Sequence, residues 1–171
     1  MKAPTEMARP AGVAPGLGIK LTARDMARVR TIAATLRKGP DRKPLALGGR
    51  DAAATADAIA GELRLNVYRV DLSRVVSKYI GETEKNLARV FQAAEASAAI
   101  LVFDEADALF GKRTDVKDSH DRYANAEINA LLRSLRGYDG PVVFVSTAAA
   151  AMPTKLRHHF SFHRFPPVER R

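Results

Sequence analysis

A chain of 171 residues, 46% of them hydrophobic, is long enough to bury one core and fold as a single domain. It has no cysteine, which excludes disulfides, thiolate zinc sites and cysteine nucleophiles, and its four histidines (His120 alone, then His158, His159 and His163 near the C-terminus) offer little metal chemistry. The net charge of +9 sits at the ends, with ten basic against three acidic residues in 1–43 and five against one in 155–171, so it reads as solvated ends and nucleic acid is not an expected partner.

The start, Met1-Lys2-Ala3-Pro4-Thr5-Glu6, has no apolar h-region, and no run approaches the roughly eighteen apolar residues of a membrane span. A cytoplasmic protein without membrane contact is expected. Residues 1–20 are rich in Pro, Gly and Ala and read as a flexible lead-in. Thr22 with Asp25 resembles a capping box that opens a helix to about Lys38, stopped by Gly39-Pro40, so 21–43 read as an N-terminal helix and linker. The core domain is expected over 44–171. Leu45-Ala46-Leu47 is a short strand, followed by Gly48-Gly49 and an Ala-rich helix from about Asp51 to Leu63. Leu65–Leu72 alternates as a second strand. Leu87, Val90, Phe91 and Ala94 recur at helical spacing and predict a helix over 82–98. Ile100–Phe103 is a third strand. Ile128, Leu131, Leu132 and Leu135 predict a helix from about His120 to Gly137, and Asp139-Gly140-Pro141 turns into the strand Val142–Val145. A last helix and strand are expected within 152–166. Strands alternating with helices predict an α/β fold, a doubly wound parallel sheet of about five strands.

The third strand carries the most chemistry. Ile100-Leu101-Val102-Phe103 delivers Asp104 and Glu105 to its C-terminal end, the edge of an open parallel sheet where ligands bind. An Asp there suits Mg²⁺ and a neighbouring Glu suits proton abstraction from water. Taken alone, the pair equally suits the head of the next helix.

Two segments decide between these. Ser77-Lys78-Tyr79-Ile80-Gly81-Glu82-Thr83-Glu84-Lys85-Asn86 and Phe103-Asp104-Glu105-Ala106-Asp107-Ala108-Leu109-Phe110-Gly111-Lys112-Arg113 together resemble the core of an AAA+ ATPase of the classical AAA clade, over about residues 44–167. Val116–Asn125 is similar to stand-alone bacterial members, including some associated with contractile injection systems. The resemblance implies a P-loop large subdomain, with ATP and Mg²⁺ as cofactors. It makes Asp104 the Mg²⁺ residue of the Walker B pair and Glu105 the residue that activates water. Lys78-Tyr79-Ile80-Gly81 matches the first pore loop, which grips a polypeptide client inside a ring of copies or paralogues. The segment 111–121 falls where a second pore loop would. Arg157 is either the arginine finger or a surface residue.

The phosphate loop departs from this pattern. The family sequence is Gly-x-x-x-x-Gly-Lys-Thr. Here the junction reads Gly48-Gly49-Arg50-Asp51-Ala52-Ala53, and the Lys and Thr positions fall on Ala52 and Ala53. No lysine occurs between Lys43 and Lys78, and Asp51 repels phosphate. The polar sensor that orients water after the fourth strand falls on Ala148, beside Thr147. The helical lid that normally follows is not expected after Pro167. The resemblance therefore implies an AAA+ ATPase domain for protein remodelling whose hydrolysis is impaired and whose ATP and Mg²⁺ binding is weak or lost. The alternative is a pseudo-ATPase serving as a non-catalytic subunit of a ring.

Overall fold

The structure, a computed structural model, describes residues 8–11, 21–37, 43–49, 51–110, 120–146 and 154–165, with the side chains of 8–11, 120–125, 154 and 155 left out of the description. Its elements are β1 (Ala8–Ala11), α1 (Ala23–Arg37), β2 (Leu45–Gly48), α2 (Ala52–Leu63), β3 (Val67–Asp71), α3 (Leu72–Val75), α4 (Glu82–Ser97), β4 (Ile100–Asp104), α5 (Asp107–Phe110), α6 (His120–Arg136), β5 (Val142–Ser146), a 3₁₀ turn (Thr154–His159) and β6 (Ser161–Arg164).

Five strands, in the order β3-β4-β5-β2-β6, form the expected parallel sheet, and β1 adds an antiparallel edge beside β3. A parallel strand covered on both faces has to be apolar at nearly every position. β4 obeys this rule: Ile100 and Val102 face α1 and α2, whereas Leu101 and Phe103 face α4 and α6. The first layer gathers Val29, Ile32 and Leu36 of α1 with Ala52, Ala56, Ile59 and Ala60 of α2. The second gathers Leu87, Val90, Phe91 and Ala94 of α4 with Leu131 of α6. The small residues of α2 let that helix lie close to the sheet.

Local signals explain most boundaries. The Thr22 hydroxyl accepts from the Asp25 backbone N–H at 3.1 Å and donates to Asp25 Oδ2 at 2.7 Å, which fixes the start of α1. Asp71 caps α3 by accepting from the Ser73 N–H at 3.0 Å. Two segments differ from expectation. Residues 8–11, inside the stretch read as a flexible lead-in, pair with Tyr68 and its neighbours as β1, and the helix expected within 152–166 is a 3₁₀ turn. α1 shares its buried core with α2 and the sheet. Among the described residues no helix is long and apolar enough to cross a membrane.

β6 closes the edge of the sheet against α1. Arg28 donates to the Arg164 carbonyl at 2.9 Å and stacks 4.1 Å from the Phe165 ring centre. His163 lies in this seam, 3.1 Å from the Ser161 hydroxyl through Nε2. Burial, and then the Arg28 charge, hold its pKa below the ordinary histidine value. The folded state therefore takes up a proton on this imidazole at a lower pH than the unfolded chain, which does so near pH 6.5. The associated stability is present above that pH and drains as the pH falls through it. Thermal melts at about pH 7.5 and about pH 5.5 should show a loss of stability on acidification that is smaller in His163→Gln. Identical losses in the two proteins would contradict this.

Candidate functional site

The C-terminal ends of β4, β3 and β2 meet at one edge of the sheet. Asp104 continues the even-numbered face of β4 and so points toward α2. There it meets two residues that sequence reasoning missed. Nη1 of Arg69, from β3, lies 2.9 Å from Asp104 Oδ1 and 2.8 Å from Oδ2, and Nη2 of the same guanidinium binds Asp57 of α2. All three side chains are about three-quarters or more shielded from solvent. Burial pushes the Asp57 carboxyl above its ordinary range; Arg69 opposes that shift and Asp104 adds to it. Burial also disfavours the charge on Arg69, yet the two carboxylates outweigh it and raise the guanidinium's pKa. The signal was visible: Arg69 is a cation inside the apolar strand Val67-Tyr68-Arg69-Val70, and charges are rarely enclosed unless paired.

Glu105 follows in the left-handed region, φ +55°, a conformation that costs a non-glycine residue about 1 kcal/mol or more. Its side chain is exposed and has no hydrogen-bond or ion-pair partner among the described residues. The kink is held from both sides: the Ala106 N–H donates to the Val145 carbonyl at 3.1 Å, and the Ser146 hydroxyl donates to Asp107 at 2.6 Å. The structure thus brings Asp104 and Glu105 to the predicted edge, with the two carboxylates in different surroundings.

At the phosphate junction β2 ends at Gly48 and α2 begins at Ala52, so only residues 49–51 connect them. Gly49 has φ +120° and donates to the Ser146 carbonyl at 3.2 Å. Asp51 is at the N-cap position of α2, 7% exposed, and its carbonyl accepts from the Thr55 hydroxyl at 2.9 Å. Ala52 is fully buried and Ala53 packs against the α1–α2 layer. Both positions carry only a methyl side chain at the head of α2. Arg50, Thr147, Ala148 and most of 111–121 lie outside the described residues.

The loop Lys78–Gly81 stands at the same sheet edge on the α4 side. Tyr79 is 65% and Ile80 78% exposed, and the Lys78 ammonium is 5.3 Å from the Tyr79 ring centre. Gly81, at φ +78° and ψ −7°, has the backbone of the third position of a type II turn, and the Glu82 N–H closes that turn on the Tyr79 carbonyl at 3.2 Å. Below the tip the loop is anchored. The Thr83 hydroxyl, fully buried, accepts from the Ser77 N–H at 2.9 Å and donates to Glu127 of α6 at 3.1 Å. Ser77 pairs with Glu82, and the Asn86 amide donates to the Val75 carbonyl at 3.0 Å. Arg157 is exposed on the 3₁₀ turn, 6.0 Å from the Phe162 ring centre.

Residues 53–168 match the ATPase family associated with various cellular activities (AAA). The chain belongs to this family. The match begins at Ala53, in the first turn of α2. Over 96 residues the AAA chain is 38% identical to the proteasome-activating nucleotidase of Aeropyrum pernix, covering 56% of this chain and 23% of that protein. Over 60 residues it is 43% identical to the uncharacterized AAA family ATPase y4kL of Sinorhizobium fredii, covering 35% and 18%. The chain therefore spans less than a quarter of the length of these curated relatives. The AAA domain of FIGL-1 superposes with a TM-score of 0.69 over 95% of this chain and 58% of that one, at 16% identity, a likeness of fold.

AAA ATPases generally bind ATP with Mg²⁺. The side chains present here do not fit that pair. Both oxygens of Asp104 are engaged by Arg69, Ala53 offers no hydroxyl and Ala52 no ammonium.

Proposed function

We propose that this AAA domain works as a subunit of a cytoplasmic ring, formed with copies of itself or with an AAA paralogue. It engages a polypeptide client through Tyr79 and Ile80, and its own ATP hydrolysis is impaired. The observation that carries the reading is the junction of residues 49–51 leading into Ala52 and Ala53. On that register Gly48–Ala53 stands in for the eight residues of Gly-x-x-x-x-Gly-Lys-Thr, so the turn is shorter and offers fewer backbone amides to wrap a triphosphate. Loss of the lysine removes a charge-assisted hydrogen bond, worth about 1.5–3 kcal/mol, or roughly ten- to a hundredfold in affinity.

The client half of the reading rests on the loop. An exposed aromatic and an exposed branched aliphatic on a short anchored turn present a broad apolar contact with few rotatable bonds, suited to gripping extended chains of varied sequence. If the paired carboxylate also keeps the site from working at all, the same fold serves as a non-catalytic pseudo-ATPase subunit; the Arg69–Asp104 contact favours that version.

Phosphate release by the purified chain, at concentrations that favour assembly, tests the first half. Turnover should be absent or barely above background and unchanged in Glu105→Gln. Sustained turnover that Glu105→Gln abolishes would refute impaired hydrolysis and restore Glu105 as the base. For the second half, Tyr79→Ala should weaken binding of an unfolded model polypeptide by about tenfold, the size expected for one large aromatic contact. Equal binding by wild type and variant would remove the pore-loop assignment.

A further inference from the structure

Arg69 has no counterpart among the roles already assigned, and its position demands one. A guanidinium in a strand covered on both faces loses hydration that only well-placed carboxylates replace. Here the two carboxylates come from different elements, Asp57 from α2 and Asp104 from β4, and one cation bridges them. A bridging divalent ion would make the same connection between acidic oxygens. The guanidinium differs in three ways: it is tethered to the chain, it has no open coordination position, and it cannot polarise a bound water as a metal does.

We infer that Arg69 is the resident counter-cation of Asp104, standing where a divalent ion would meet this carboxylate and closing the site to such ions. The inference rests on reading Asp104 as the cation-binding member of the Asp104–Glu105 pair. It deepens the proposed function by making the exclusion of metal a property of a specific residue, separate from the shortened phosphate junction. The charge balance agrees. With Arg69 in place, Asp57, Arg69 and Asp104 sum to one negative charge; without it, two partly buried acids face each other across α2 and β4. Hard divalent cations are bound by such oxygen sets.

The test uses Mn²⁺ alone, titrated into the full chain and followed by the loss of its free-ion electron paramagnetic signal. Wild type should bind Mn²⁺ no better than Asp104→Asn into the millimolar range. Arg69→Gln, with its fold checked by circular dichroism, should bind roughly tenfold or more tightly than wild type, and adding Asp104→Asn should remove the gain. Wild-type binding that Asp104→Asn abolishes would overturn the inference, because Arg69 would then yield the carboxylate to metal. A folded Arg69→Gln that binds no better than wild type would overturn it as well. If Arg69→Gln fails to fold, the comparison of wild type with Asp104→Asn decides alone. No nucleotide takes part, so Asp104-dependent Mn²⁺ binding without ATP turnover would remove the role of Arg69 and leave the reading of the phosphate junction in place.

Discussion

Phe103→Ala is expected to lower the stability of the domain by about 3–5 kcal/mol, a large share of the roughly 5–15 kcal/mol available to a protein of this kind. Phe103 is fully buried at the penultimate position of β4. Its ring stacks on Phe144 with centres 4.9 Å apart and meets Phe91 at 5.7 Å. The contacts continue outward, from Phe91 to Tyr138 and from Phe144 to Phe110 and Phe160, so one aromatic layer ties β4, β5, α4 and α5 to the residue that follows the 3₁₀ turn. Truncation would leave a cavity in the middle of this layer, one residue before Asp104. Phe103→Leu should recover most of the loss, since it keeps most of the volume. Urea denaturation measures both; a loss below about 1 kcal/mol for the alanine variant would mean that the layer collapses freely around the gap.

Gly49→Ala should cost about 2 kcal/mol or more and loosen β6 from the sheet. Two effects act together. The backbone at φ +120° is one that L side chains rarely adopt, and a Cβ built there would lie 2.1 Å from the Phe165 carbonyl oxygen. The opposing atom belongs to the backbone, held in place by the Phe165 N–H donating to the Gly48 carbonyl at 3.0 Å, so it cannot rotate away. Gly61, inside α2 with nothing within 4 Å of a built Cβ, provides the contrast: Gly61→Ala should stabilise by about 0.5–1 kcal/mol through helix propensity alone. A thermal melt in which both alanines behave alike would show that the crossing of β6 over Gly49 carries no weight.

The parallel sheet was legible because each of its inner strands is buried on both faces and therefore reads as a short continuous apolar run, and because α4 and α6 repeat their apolar residues at helical spacing. β1 was not. Ala8-Arg9-Pro10-Ala11 has little strand propensity, and its pairing with β3 comes from a contact nearly sixty residues away. The site divided in the same manner. Asp104 and Glu105 announce themselves as neighbours in sequence, and Tyr79 and Ile80 as apolar residues between polar ones. The ion pair of Arg69 with Asp104 depends on the parallel register that sets Arg69 against Val102, two residues before the carboxylate, and on α2 bringing Asp57 overhead. Sequence spacing contains no such information. What it did contain was an arginine in an apolar strand, which is a question about its partner.

The anchoring of the Lys78–Gly81 loop has a mechanical consequence. Tension applied to Tyr79 passes to Ser77, then through the buried Thr83 hydroxyl into the first turn of α4 and across to Glu127 on α6. This path runs along one side of the sheet, while Asp57, Arg69 and Asp104 occupy the other. A tug on the loop is therefore borne by two stacked helices, as a handle bolted to a pair of beams, and the ion cluster behind the sheet is spared the load.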